Sequence, residues 1–306
     1  MKSKVSVIGA GNVGATLGGM LAQSGLADVA LFDIAEGMPQ GKALDIRQAC
    51  ALWGSASRIT GTNGYEDTRG SDIAVITAGL ARKPGMSRDD LLRANAEIVG
   101  GAAEQVARLS PSAIVIVVTN PVDAMAYLAW KATGFPSKRV VGMGGALDSA
   151  RLRAFIALEL GVSPADVSAV VIGSHGDEMV PLTRLASVGG VPLTELLEKQ
   201  KIEAIVQRTR HGGAEIISLL KTGSAYAAPA ASAFEMLRAI MLDEKRVLPC
   251  SAYLDGQYGI KGVYAGAPVV LGKEGVEKVV EITLDEAEKS AFARSAEAIK
   301  TLIDKL

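Results

Sequence analysis

The first half of the chain alternates short apolar runs with segments whose apolar residues recur at helical spacing. Val5-Ser6-Val7-Ile8, Asp28-Val29-Ala30-Leu31-Phe32, Asp72-Ile73-Ala74-Val75-Ile76-Thr77 and Ala113-Ile114-Val115-Ile116-Val117-Val118 read as strands, the last two apolar on both faces. Runs of that kind belong to parallel sheets covered by helices on both sides. Helical segments fall between them, at Val13 to Ser24 and at Gly41 to Leu52, the second with Lys42, Asp45 and Arg47 on its wet side. Strand–helix alternation with right-handed crossovers predicts an α/β fold built on a doubly wound parallel sheet. After Arg139-Val140-Val141-Gly142 the pattern changes. A helix from about Leu147 to Leu160 leads into strand-like segments at 167–172, 246–254 and 267–272, which alternate with helices at 201–221, 227–243 and 285–304. That is a mixed α+β pattern. The expected division lies near Gly144-Gly145, giving domains 1–144 and 145–306. No Pro- or Ser-rich linker separates them, so the halves are expected to pack tightly.

Composition narrows the classes. The 306 residues are 49% hydrophobic and 21% charged, with a formal net charge of -1. There is no global field to attract nucleic acid or an acidic membrane, so any anion site has to come from a few placed arginines. No window has the unbroken apolar length of a membrane span. Lys2 and Lys4 precede an apolar stretch in the manner of a signal peptide, but Gly9, Gly11, Asn12 and Gly14 break it, and it reads instead as the first strand. Cys50 and Cys250 are far apart and form no CxxC pattern. They read as small buried hydrophobes in a reducing cytoplasm, and no His/Cys cluster is present to hold a metal.

Gly9-Ala10-Gly11-Asn12-Val13-Gly14 is G-x-G-x-x-G, a weak pattern alone in a Gly-rich chain. Its context makes it specific, because it follows a strand and opens a helix at the start of a βαβ unit. Gly9 permits the turn, Gly11 lets the backbone approach a pyrophosphate, and Gly14 lets helix and strand pack closely. The helix N-terminus adds free N–H groups and a partial positive charge. Asp33 ends the second strand, nineteen residues after Gly14. An acid there accepts bonds from the adenosine ribose hydroxyls and repels a 2′-phosphate. Ile34 and Ala35 offer no offsetting cation, so NAD is expected over NADP. The plain alternative for Asp33 is a turn or cap residue.

Only two histidines occur. His175, in Gly173-Ser174-His175-Gly176-Asp177-Glu178, follows the apolar run Val167 to Ile172 and stands where a strand ends between glycines. It is the candidate proton acceptor, against the plain alternative of a loop histidine bonded to its own backbone. His211 lies in a helical stretch and reads as structural. Asp148 and Arg151 sit one helical turn apart. They are either a surface ion pair or a pair in which Asp148 orients a histidine and Arg151 holds a carboxylate bidentately. Leu80 to Arg88 is a loop carrying Arg82 and Arg88, with Ser87 or Asp89 able to cap the following helix. Two such arginines suit an anion clamp, although exposed loops often carry cations for solubility. Asn120, in Thr119-Asn120-Pro121, ends a strand where open α/β sheets bind ligands; a turn Asn before Pro is the common alternative.

GAGNVG, LFD, ARKPGMSR, VTNP, LDSAR and GSHGDEMVP occur here in the order seen in the lactate/malate dehydrogenase family. The likeness runs through essentially the whole chain, including Lys221 to Tyr226 and Val247-Leu248-Pro249. The chain resembles most the bacterial malate-specific branch that stands closer to lactate dehydrogenases than to the mitochondrial type. The resemblance implies a Rossmann NAD-binding domain followed by a mixed substrate domain. It implies that His175 accepts the proton and Asp148 orients it. Arg151 would grip the C1 carboxylate, and Arg88 would close over the site and polarise the reacting C–O bond. Arg82 occupies the discriminating position, where lactate enzymes commonly carry a neutral Gln. Ala225 falls where many lactate dehydrogenases carry Thr. Asn120 would touch substrate and nicotinamide, and Asn95, Val118 and Thr119 would lie along the cofactor. Malate/oxaloacetate is the implied substrate pair in the tricarboxylic acid cycle, and the implied assembly is a homotetramer, with a dimer as runner-up.

The chemistry agrees without the family. Oxidising a 2-hydroxy acid removes a hydroxyl proton and a hydride from the same carbon, which asks for NAD and a neutral imidazole. A four-carbon dicarboxylate asks for a cation at each end, and no metal is needed. The nearest competitor is a lactate or other 2-hydroxyacid dehydrogenase, which Arg82 argues against. NAD-dependent glycosidases use a divalent metal, and a redox sensor that binds NAD without turnover would not need His175, Asp148, Arg151 and two loop arginines together.

Overall fold

The computed structural model describes residues 2–80 and 87–306, leaving the Arg88 side chain aside. The first half runs β1 (Ser3–Ile8), α1 (Asn12–Ser24), β2 (Ala27–Phe32), α2 (Met38–Trp53), β3 (Ile59–Thr62), β4 (Ile73–Ile76), α3 (Arg88–Leu109), β5 (Ile114–Val117), α4 (Val122–Thr133) and β6 (Val140–Gly142). The second half opens with α5 (Gly144–Leu160) and three short strands, β7 (Val167–Ser168), β8 (Val171–Gly173) and β9 (Met179–Pro181). β10 (Ser187–Val188), β11 (Val191–Pro192), α6 (Leu193–Leu196), α7 (Lys199–Leu220) and α8 (Ala227–Met241) follow. β12 (Arg246–Asp255), β13 (Lys261–Gly272), β14 (Gly275–Val279) and α9 (Glu286–Ile303) complete the order.

The parallel strands lie in the order β3-β2-β1-β4-β5-β6, the doubly wound arrangement expected from the alternation of runs. The sheet does not stop there. β12 pairs antiparallel with β6 through Ser251 and Gly142, and β13, β8 and β9 continue the same sheet. One sheet therefore crosses both halves. The core crosses with it: Leu17 and Leu21 of α1 share a buried cluster with Ala233, Met236 and Leu237 of α8. Each buried leucine there is worth about 1.5–3 kcal/mol. The apolar face of α8 is thus buried inside the molecule.

Some expectations shift. Residues 167–172 form two strands rather than one, and β13 begins at Lys261 rather than 267. α5 starts at Gly144, so a helix already runs through the place where the halves meet. Ser87 caps α3 in a capping box with Asp90, so Asp89 is not the cap. Lys42 is not on the wet side of α2 but half-buried, donating from Nζ to the Ala10 carbonyl at 2.7 Å. No described helix is long and apolar enough to cross a membrane. Cys50 and Cys250 are free and buried.

Candidate active site

The glycine loop sits at the carboxyl end of β1. Gly9 takes φ +110°, and a Cβ there would collide with the Ala78 backbone. A Cβ on Gly14 would overlap the Gly9 carbonyl, so only glycine lets α1 start this close to the strand. Among the described residues, by contrast, nothing occupies the space where a Gly11 Cβ would stand, and no side chain caps the N-terminus of α1. That is a cradle a phosphate fits. Asp33 Oδ2 accepts from the Ala10 N–H at 2.7 Å, and Oδ1 from the Ala35 N–H at 3.0 Å. Its carboxylate is fixed beside the loop with lone pairs left for hydroxyl donors. Lys42 holds the other side of the Ala10 peptide.

The far wall comes from β4 and β5. Thr119 donates to the Ala78 carbonyl at 2.6 Å, and Val118 is buried beside it. Asn95, fully buried on α3, accepts from the Leu80 N–H at 2.7 Å and donates to the carbonyls of Leu80 and Asn120. Its amide ties the two loops together rather than facing outward. Asn120 is exposed at the end of β5.

His175 lies across the seam. Its Nδ1 is 2.8 Å from Asp148 Oδ2, and the Arg151 guanidinium meets Asp148 Oδ1 at 3.4 Å. The Asp148 side chain is 2% exposed, so the pair at 148 and 151 is no surface ion pair. The carboxylate touches both partners at once. Burial pulls the His175 pKa down, but the charge and hydrogen bond of Asp148 outweigh it; Arg151 opposes them and Asp123 adds to them. The net value lies above the ordinary one. Burial lowers the pKa of Arg151, with Asp148 pulling the other way. A Cβ at Gly144 would stand 3.2 Å from His175 Cβ, so the glycine start of α5 lets the ring lie against the helix.

Asp123 escaped the sequence reading. It is buried in the first turn of α4 and accepts from the His175 backbone N–H at 2.9 Å and from Ser251 Oγ at 2.6 Å. Burial pushes its pKa up to about 6 against those hydrogen bonds. Ser295 of α9 accepts from the Ser174 N–H at 2.6 Å. An acid in the first turn of a helix looks like a dipole residue, and only the tertiary fold reveals the contact. Arg210 of α7 reaches the Met179 carbonyl at 3.4 Å, just beyond the His175 loop. His211, next to it, is exposed. Arg82 lies outside the described residues, as does the Arg88 side chain. A cavity of about 430 Å³ lined by Asp72, Ser110, Arg139 and Lys273 lies at the opposite, amino-terminal ends of the parallel strands and contains none of these groups.

The arrangement offers a dinucleotide cradle, and a carboxylate-held imidazole with an arginine beside it. It can take a proton from, and hold a carboxylate of, a small acid. Comparison with known proteins agrees. Residues 3–142 match the profile "lactate/malate dehydrogenase, NAD binding domain", and residues 145–306 match "lactate/malate dehydrogenase, alpha/beta C-terminal domain". A malate dehydrogenase of Desulforudis audaxviator is 53% identical over 99% of this chain and 98% of its own. The crystal structure of Cryptosporidium parvum malate dehydrogenase superposes with a TM-score of 0.98 at 50% identity, covering 100% of this chain and 99% of that one. A Cryptosporidium parvum lactate dehydrogenase complexed with lactic acid and nicotinamide adenine dinucleotide gives 0.96 at 45% identity, with 99% and 98% covered.

Proposed function

Since the chain belongs to the lactate/malate dehydrogenase family, we propose that it catalyses the NAD-dependent, reversible oxidation of (S)-malate to oxaloacetate. The observation that carries this reading is the double engagement of buried Asp148, with one oxygen on His175 Nδ1 and the other on Arg151. NAD, when bound, supplies the hydride acceptor. Gly9, Ala10, Gly11, Asn12, Val13 and Gly14 would hold its pyrophosphate and Asp33 its adenosine ribose, with Asn95, Val118, Thr119 and Asn120 along the nicotinamide side.

Asp148 keeps the imidazole proton on Nδ1, which leaves Nε2 to take the hydroxyl proton. The imidazolium that results is stabilised by the same carboxylate. Arg151 grips the C1 carboxylate, Asn120 donates to the substrate, and Arg88 polarises the C–O bond. Arg82 meets the distal carboxylate. The two free buried cysteines suit a cytoplasmic enzyme serving the tricarboxylic acid cycle. A homotetramer, or failing that a dimer, is supported by exposed apolar groups such as Leu44 at 58% and Leu52 at 90% on α2.

A lactate dehydrogenase is the second reading, favoured by the close superposition on a lactate enzyme. Fold does not separate the two, whereas Arg82 does. One arginine–carboxylate contact at ~4 Å and an effective dielectric near 20 is worth about 4 kcal/mol before desolvation. About half surviving means roughly tenfold to a few hundredfold in specificity. NADH oxidation with oxaloacetate and with pyruvate, run in parallel, tests this. Arg82→Gln should depress the first and raise the second, while Arg151→Gln impairs both. Equal proportional loss of both rates in Arg82→Gln would remove the support for malate.

A further inference from the structure

The seam between α5 and α7 narrows toward the site. The buried residues of α7 are Ile202, Ile205, Thr209 and Gly212, spaced along one helical face. Ile202 and Ile205 share a core cluster with Leu152 and Ile156 of α5. Along that face the side chains then shrink from Ile to Thr to Gly. At Gly212 the shank of Arg151 occupies the space a side chain would need. A Cβ there would stand 3.3 Å from Arg151 Cδ, 3.6 Å from its Nε and 3.5 Å from Phe155 Cε2. The neighbouring Gly213 comes against the guanidinium, 3.5 Å from Nη2.

Two adjacent glycines inside a 22-residue helix weaken it relative to alanine, so a packing reason is called for. Arg151 supplies one. Its Nε is buried with no hydrogen-bond partner among the described residues, and its bond to Asp148 is long at 3.4 Å. Hydrogen bonds therefore fix the guanidinium loosely, and the walls of the slot set its direction. We propose that Gly212 is a positioning residue for substrate: its missing side chain lets α7 close on the shank of Arg151 and sets the angle at which the guanidinium meets the C1 carboxylate. The inference rests on Arg151 as the carboxylate grip.

A bidentate arginine–carboxylate contact is directional. A misplacement of ~1 Å can cost on the order of 100-fold, so a Cβ that shifts Arg151 by a few tenths of an ångström should raise the oxaloacetate KM by about three- to thirty-fold. The test compares Gly212→Ala, Arg151→Lys, the double variant and Gly101→Ala in the assembled enzyme. Gly101 is exposed on α3 and its Cβ would meet nothing within 4 Å among the described residues, so it reports helix propensity. The expected result for Gly212→Ala is the raised oxaloacetate KM, with the NADH Kd within about twofold of the parent and an undiminished Tm. Gly101→Ala keeps the parental KM. In the Arg151→Lys background, Gly212→Ala changes KM less than about twofold, because the group it positions is gone.

A parental KM in Gly212→Ala beside a crippled Arg151→Lys protein overturns the inference alone. So does a rise of equal size in both backgrounds, or a rise accompanied by weakened NADH binding and a lowered Tm, which marks general loosening of α7. If Arg151→Lys itself leaves the oxaloacetate KM unchanged, the carboxylate-grip reading fails and the inference falls with it.

Discussion

Asp148→Asn keeps the shape of the side chain and removes its charge. The carboxylate oxygen lies 2.8 Å from His175 Nδ1, in a position 2% exposed, while the His175 side chain is 12% exposed. With charge centres ~4 Å apart and an effective dielectric near 20, the attraction to an imidazolium is about 4 kcal/mol. Partial solvation of the ring leaves about half of that, and losing it moves the His175 pKa down. The sign follows from the structure. Asp148 holds the value above its ordinary position, and its loss lets burial and the Arg151 charge pull it down. Malate oxidation needs neutral His175, so its low-pH limb should move to lower pH. Oxaloacetate reduction needs the protonated form, and its high-pH limb should move the same way. At any one pH the Haldane relation ties the two directions to the overall equilibrium, so with cofactor binding intact both kcat/KM values fall by the same factor. That factor should be about 100- to 10,000-fold. The assay is kcat/KM against pH in both directions, with NADH binding followed by fluorescence. A variant that lost rate with its pH midpoints unmoved would refute the reasoning, because Asp148 would then act on shape alone.

Asp123→Asn should also move the His175 midpoint down, by less than Asp148→Asn, since it removes a second carboxylate that touches only the His175 backbone. Because burial holds Asp123 up at about 6 against an ordinary 3.8, its contribution to stability is present below pH 3.8 and lost as pH rises through about 6; urea unfolding of parent and variant across that window should differ in slope. Asp33→Ser with Ile34→Arg should raise the NADPH-to-NADH ratio of kcat/KM at least about tenfold, and equal use of both cofactors by the unmodified protein would sink the ribose assignment. Light scattering should report a tetramer, or failing that a dimer, and a stable monomer at micromolar concentration would reject both.

Signals carried by neighbouring residues are legible in the sequence. Buried strands of the parallel sheet announce themselves as β-branched runs, and the glycine loop by its place between strand and helix. Asp148 and Arg151 share a helix face at a spacing that can be read directly, and a rare histidine at a strand end stands out. What was missed has no local signature. β3, Ile59-Thr60-Gly61-Thr62, is half polar, because it edges the sheet. α4 follows Pro121 directly, with no capping side chain among the described residues to announce it. β13 contains Gly262 and Gly266, which interrupt its apolar run, while its pairing with β12 runs almost its full length. Lys42 looks like any exposed lysine until the fold carries Ala10 to it. Asp123 contacts His175 across 52 residues and Ser251 across 128.

Those long separations say why the base is built where it is. The residues that hold His175 and its neighbour Ser174 come from α4, α5 and α9: Asp123 and Ser295 take backbone N–H groups, and Asp148 takes the ring. The first of these helices belongs to the nucleotide half and the last to the end of the chain. Each bond satisfies a group that would cost about 1–3 kcal/mol if left unpaired in the interior. Of the three, the Asp123 bond joins the two halves, and it needs the sheet to continue from β6 into β12 over the shared core. The loop therefore reaches its working geometry only in the assembled fold. A ring fixed in this way need not reorganise when the substrate arrives, which is where a positioned base gains over one free in solution. The polar groups buried at the seam are thus the ones that couple folding of the chain to the readiness of its proton acceptor.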